Sequence, residues 1–185
     1  MTTVSLPSTL KLVECGPADA DDALALTRKI LAELAGEGKS GWYNLNVPDN
    51  VFRDYYEAGD CTLLAVEDAD GRRVAYAAGH FREAKTRLFL DQLRELEGRD
   101  VNLADVGYAF FIEVAKDARG QGLQLFLFQE LERRLVDRGA RYLTGLVSPE
   151  NTPSLTNFRR AGYAEYGRIL LTSGFPRLLM IKKIK

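Results

Sequence analysis

The chain has 185 residues, 46% of them hydrophobic, enough apolar material for one domain with a sizeable core. Twenty-five Lys and Arg against 26 Asp and Glu leave a net charge of -1, so no basic surplus argues for nucleic acid or an anionic membrane as partner. No apolar run approaches the ~18–20 residues of a membrane span, and the N-terminus lacks a charged-then-apolar export pattern, so a cytoplasmic location is expected. In that setting Cys15 and Cys61 are expected as reduced thiols, and neither has the CxxC or His-rich neighbourhood of a metal site. No long linker, internal repeat or low-complexity tract divides the chain, so residues 1–185 are expected to form a single domain.

Leu10 to Cys15 alternates as a first strand. Pro17 and Asp19 mark a helix entry, and Ala23, Leu26, Ile30 and Leu34 share one face of a helix running to about Ala35. The glycine-rich segment 36–41 stops it. Trp42-Tyr43-Asn44-Leu45 is an aromatic patch in a loop, which reads either as a core anchor or as a wall of an acceptor pocket. A second helix is expected from Pro48 to Ala58. Cys61–Glu67 and Arg73–Phe81 then form a hairpin around Asp68-Ala-Asp-Gly71. His80, the only histidine, stands near the end of the second of these strands; a surface or structurally bonded residue is favoured over a general base. Glu83 to Gly98 reads as a helix, with Leu88, Leu93 and Leu96 set among charges that form a solvated face.

Val106 to Val114 is apolar and aromatic, short enough for a largely buried strand. Leu123, Leu127, Leu131 and Leu135 recur every four residues and mark a helix. Between them Gly120 and Gly122 can adopt positive φ, so successive N–H groups can point inward at the start of a helix, as in a phosphate cradle. The same glycines also suit an ordinary strand-to-helix turn. Neither a P-loop string nor a G-x-G-x-x-G fingerprint is present. Arg138-Gly139 closes the helix, Arg141–Val147 is the next strand, and Thr152-Pro153 starts a short helix to about Ala161. Tyr163–Leu171 and Arg177–Lys183 read as a final hairpin.

The central stretch resembles motif A of the GNAT acyltransferase superfamily: a strand ending in Val, four residues, then [RQ]-x-x-G-x-[GA]. Val114, Arg119 and Gly122 fill its slots, whereas the last slot holds Gln124 rather than Gly or Ala. Asn151-x-x-Ser154-x-x-x-Phe158-x-x-x-Gly162-Tyr163 is similar to the downstream N-x-x-[SA]-x-x-x-Y-x-x-x-G-F segment, with Phe158 in the tyrosine slot. The resemblance implies an α/β fold, a mixed and mainly antiparallel twisted sheet flanked by helices. It leaves residues 82–105 as a helical insertion between the third and fourth strands, covering the acceptor side or an oligomer contact, so a homodimer is an open option.

The resemblance also implies acetyl-CoA as donor. Its pyrophosphate would lie on Arg119, Gly120, Gln121, Gly122, Leu123 and Gln124, and its pantetheine arm beside Val114, where the fourth and fifth strands splay. Asn151 and Ser154 would contact the arm, although both also suit a helix cap, and Phe158 would lie near the leaving sulfur. Because Phe158 has no proton to give, Tyr108 and Glu113 are the candidates for proton handling. Their odd spacing puts them on opposite faces of a regular strand, which only a bulge would change. Site-facing side chains in the family lie an even number of positions before the Val slot, which favours Tyr108. Glu113, amid Phe110, Phe111 and Ile112, is either a base with a raised pKa or a group facing solvent or a lysine. The implied activity is direct acetyl transfer to a primary amine of a small molecule. The alternatives are a non-catalytic acyl-CoA sensor and an acetyltransferase of protein N-termini or lysines.

Overall fold

The computed structural model describes residues 4–43, 54, 61–81 and 86–184. Among these, seven strands form one sheet in the order β1-β2-β3-β4-β5-β7-β6. They are β1 (Lys11–Cys15), β2 (Cys61–Glu67), β3 (Arg73–His80), β4 (Val106–Val114), β5 (Tyr142–Val147), β6 (Ala164–Leu170) and β7 (Pro176–Lys183). Every neighbouring pair is antiparallel except β4 and β5. The mixed, mainly antiparallel sheet expected from the resemblance is therefore present.

Helices cover both faces. On one face α1 (Ala20–Gly36) buries Ala20, Ala23, Leu24, Thr27, Ile30 and Leu34, a stripe at helical spacing. On the same face α2 (Leu90–Glu97) buries Leu93, which packs with Phe89 against Val106, Tyr108, Tyr142 and Leu179. The opposite face carries α3 (Leu123–Asp137) and α4 (Thr152–Arg160). The leucine repeat of α3 is what makes that layer: Leu123, Leu127, Leu131 and Leu135 are each at most 2% exposed. Each such side chain contributes ~1.5–3 kcal/mol of burial.

Several boundaries differ from the sequence reading. The expected helix from Pro48 to Ala58 falls largely outside the described residues, as do Asn44 and Leu45. Residues 83–85 of the helix expected from Glu83 lie outside the described residues; Thr86 is helical, a 3-10 turn at Arg87–Phe89 leads into α2, and Gly98 ends it in a left-handed conformation. Cys15 pairs in register with Leu63, and Cys15 and Cys61 form no disulfide.

Two local features open the centre of the sheet. The parallel pairing of β4 with β5 runs only from Val106–Tyr142 to Ala109–Gly145. Beyond it β4 stays on β3, while Leu146 and Val147 stay on Leu179 and Leu178 of β7. The Phe158 ring from α4 lies against Gly145 at this fork, so that a Cβ there would come within 2.7 Å of Phe158 Cε1. The second feature is a bulge. Ala78 pairs with Phe111 but Gly79 with Ala109, which leaves Phe110 as an extra residue in β4.

The fit of Phe158 against a bare backbone yields a test. Gly145→Ala should lower stability by ~1–3 kcal/mol in chemical denaturation, because the ring is wedged and cannot move away freely. Combining it with Phe158→Leu should cost less than the sum of the two single changes.

Candidate active site

A cleft of about 800 Å3 occupies the fork and is lined from both faces of the sheet. Its lower edge is the turn after β4, where Lys116–Ala118 forms a 3-10 turn and Gly122 caps α3. Gly120 and Gly122 have φ of +83° and +76°, values that L side chains rarely adopt. Among the described residues the amides of Gly120, Gln121 and Gly122 donate to no backbone carbonyl. Three free donors at a helix N-terminus suit a phosphate or pyrophosphate.

Charges around this edge are already paired. Arg119 donates from Nε to the Val114 carbonyl at 3.2 Å and from Nη2 to Glu33 at 3.4 Å. Glu37 accepts from Lys39 at 2.8 Å and from Lys116 at 2.9 Å, and these two bonds hold its carboxyl down to about 2.

The wall on the α3 and α4 face is polar near the helix ends and aromatic deeper in. Asn151 caps α4 by accepting from the Ser154 amide at 3.2 Å, as its cap reading required. Its Nδ2 reaches the Trp42 carbonyl at 3.4 Å, tying the loop after α1 to α4. Gln124 donates to Ser154 Oγ at 3.3 Å and accepts from Asn157 at 2.6 Å, so the side chain in the unusual motif slot bridges α3 and α4. Phe158 packs edge-on against Phe128 and Tyr163, with ring centroids at 4.7 and 5.1 Å.

The bulge at Phe110 decides what lines the other face. Tyr76 and His80 lie four apart on β3 and pair with Glu113 and Tyr108, so these two share a face. The opposite-face expectation for Tyr108 and Glu113 is thereby corrected. The parity rule that favoured Tyr108 fails for the same reason, since Tyr108 packs with the α2 face and Val114 with the α3 face. Both Tyr108 and Glu113 nevertheless line the cleft.

Glu113 is 4% exposed and among the described residues bonds no lysine. Thr27 Oγ1 donates to its Oε1 at 2.5 Å, with the Ala23 carbonyl as a second acceptor at 3.1 Å. Burial pushes the Glu113 pKa up to about 8, with the Thr27 bond opposing. Glu113 Oε2 is buried and has no hydrogen-bond partner among the described residues. Beside it the Tyr43 hydroxyl is pushed well above its ordinary pKa, by burial first and then by Glu113.

Two residues of this chamber escaped the sequence reading. Thr27 lies in the buried stripe of α1, and a polar residue in such a stripe was its only signal. Arg177 was read as the edge of a hairpin strand, yet it is 4% exposed and lines the cleft. Tyr43, by contrast, belongs to the patch read as a core anchor or an acceptor-pocket wall, and with Trp42 it lines the cleft. His80 went the other way: it is fully buried between the rings of Tyr108 and Phe110, at 5.3 and 5.5 Å, and does not line the cleft. Among the described residues no cluster of His, Cys, Asp and Glu is arranged to hold a metal, and no helix is long and apolar enough to cross a membrane.

Residues 28–163, most of the chain, match the profile of the Acetyltransferase (GNAT) family. The chain belongs to that family. No curated protein is significantly similar to it in sequence. Solved structures share the GNAT fold. A GCN5-related N-acetyltransferase from Kribbella flavida superposes with a TM-score of 0.69 at 20% identity, over 96% of this chain and 99% of the other. YncA from Salmonella typhimurium, solved with its cofactor acetyl-CoA, gives 0.69 at 13% identity, over 96% and 95%. A ribosomal-protein-alanine N-acetyltransferase from Brucella melitensis gives 0.67 at 20% identity, over 94% and 99%.

The GNAT cradle can be tested at Gly122. A valine there would have to hold a φ of +76°, at a cost to stability of ~1–2 kcal/mol, and its side chain would crowd the free amides. Gly122→Val should weaken CoA binding at least ~10-fold by titration calorimetry while the protein still folds. Unchanged affinity in a folded variant would place the pyrophosphate elsewhere.

Proposed function

We propose that this protein transfers an acetyl group from acetyl-CoA to a primary amine of a small molecule, by direct transfer with both substrates bound. The observation that carries the reading is the arrangement of the cleft. Unbonded loop amides lie at one end, a fork leads through the sheet, and a buried carboxyl waits on the far face. A donor held by residues 119–124, with its arm along Val114 and against Asn151, Ser154 and Phe158, would reach the fork from the α3 and α4 side. Bound acetyl-CoA supplies an activated thioester, whose C–S bond is exchanged for an amide C–N bond and whose sulfur then needs a proton.

The protein's own part is positioning and proton handling. An amine enters as an ammonium and must lose a proton before it can attack. Glu113 Oε2 is an unpartnered acceptor in the chamber among the described residues, and Thr27 fixes the other carboxyl oxygen. A base with a pKa near 8 is well matched to this task at neutral to mildly alkaline pH. Tyr108, on the same face, is the second candidate for moving a proton, and the aromatic walls of Trp42, Tyr43, Phe110 and Phe111 keep water out.

The pH dependence follows with a definite sign. Folded Glu113 holds its proton more tightly than the unfolded chain does, so its contribution to stability is fully present below about pH 4.5 and is lost as pH rises through about 8. Activity should run the opposite way, with kcat/KM climbing through an apparent pKa near 8. Glu113→Gln should abolish that limb, lower the rate by ~10²–10⁴-fold, and flatten the pH dependence of the melting temperature between 4.5 and 8.

Phe158 supports a second reading, a GNAT fold that binds acyl-CoA without turnover. Its slot lacks the hydroxyl that the family places near the leaving sulfur, and the ring is instead packed against Gly145, Phe128 and Tyr163. Acetyl-CoA consumption by wild type and Phe158→Tyr across one panel of amines and peptides separates the two. The transferase reading expects wild-type turnover that changes only a few-fold in the variant. An inert wild type that still binds CoA, with turnover appearing in Phe158→Tyr, would establish the sensor instead.

A further inference from the structure

Arg177 opens β7 on the same face of the sheet as Leu179 and Ile181, which pack with Tyr108. It is 4% exposed. Nη1 donates to the carbonyl of Pro176, its own chain neighbour, at 2.8 Å. Nη2 is buried with no hydrogen-bond partner, and no carboxylate pairs with the guanidinium among the described residues. Among the described residues its electrostatic neighbour is Tyr108. A guanidinium stays charged in any protein environment, so among the described residues it is a desolvated positive charge without a counter-ion. That is a costly arrangement, which a structural role would have relieved with an acid.

The charge is not sealed in the core; it lines the cleft. Glu113 faces the same chamber from β4, on the other arm of the fork, with Tyr108 on that strand and Leu146 on β5 between the two arms. The chamber therefore presents a carboxyl at one arm and a guanidinium at the other. A neutral amine would satisfy the first and leave the second bare. A molecule with an amine at one end and an anionic group at the other would satisfy both.

We propose that the acceptor is a small amine that also bears a carboxylate, held by Arg177 so that its amine faces Glu113. This rests on the acetyl-transfer reading and narrows it to amino acids and related amino-carboxylates. Arg177 is a specificity-determining residue: it recognises a part of the acceptor that does not react. A carboxylate takes parallel N–H bonds from a guanidinium, and closing such a pair in a dry chamber discriminates strongly against an analogue that lacks it.

The test uses matched acceptors: free amino acids, their amides and their decarboxylated amines, each assayed for acceptor-dependent thiol release from acetyl-CoA. Wild type should favour the carboxylate form by ~10–100-fold in kcat/KM. Arg177→Met should erase that preference by lowering the rates of carboxylate acceptors far more than those of the amides and amines; Arg177→Lys should restore part of it. Because no described residue pairs with the charge, Arg177→Met should melt no lower than wild type. A lower melting point with the preference intact would show a structural arginine instead.

A second arm reads binding without turnover, as the rise in melting temperature caused by the same amino acids in the presence of CoA. Turnover with no carboxylate preference overturns this proposal and leaves acetyl transfer standing. A carboxylate-dependent rise that Arg177→Met abolishes, without turnover of any acceptor, upholds the arginine site and overturns acetyl transfer. Neither turnover nor a carboxylate-dependent rise overturns both.

Discussion

The whole arrangement depends on a parallel pairing that stops early. Four residues of β4 and four of β5 are in register, and then each strand remains with its other neighbour. Edges inside a sheet leave polar backbone without partners, which a fold ordinarily avoids. Here the two edges line a cleft rather than a packed core, where an extended ligand can complete them. The absence of a side chain at Gly145 lets Phe158 lie in the fork, and Phe128 and Tyr163 hold that ring from behind. The aromatic cluster thus joins the sheet's opening to the α3–α4 layer.

Around this opening the protein spends stability on charge. Glu113 and Arg177 are both almost wholly removed from water, and among the described residues neither has an oppositely charged partner. The contrast with Glu132 is instructive, because that carboxylate is also buried yet accepts from Lys182 at 2.6 Å. The α3 layer offsets such costs with its row of buried leucines. A stable scaffold on one face thereby carries a chamber of unsettled charge on the other, the usual relation between a fold and the site built on it.

Much of this was legible in the sequence because it is written in local periods. The leucine repeat of α3, the glycines at 120 and 122 and the Asn151 cap each follow from spacing and residue type, and each lies where expected. The family resemblance then supplied the mixed, mainly antiparallel sheet that periodicity cannot give. What stayed hidden was long-range. Thr27 and Glu113 are 86 residues apart and meet only because α1 crosses β4. Arg177 looked like a solvated strand end, since nothing local says that β7 inserts between β5 and β6 and carries that end into the cleft. The bulge was the hardest to foresee: Phe110 and Phe111 read as consecutive members of an apolar run, and no glycine or polar residue marks the break.

That bulge behaves as a frameshift within the strand. Up to Ala109 the side chains of β4 keep one alternation, and after Phe110 they keep the opposite one. Ironing the bulge out with every residue retained would slide the last four residues by one against β3 and turn them over. Glu113 would change places with its aliphatic neighbours, and the carboxyl would point toward the leucines of α3. The chemical identity of the chamber is therefore encoded in the bulge of one strand as much as in its letters. A count by twos forward from Tyr108, blind to the extra residue, assigns the acid to the wrong side of the sheet.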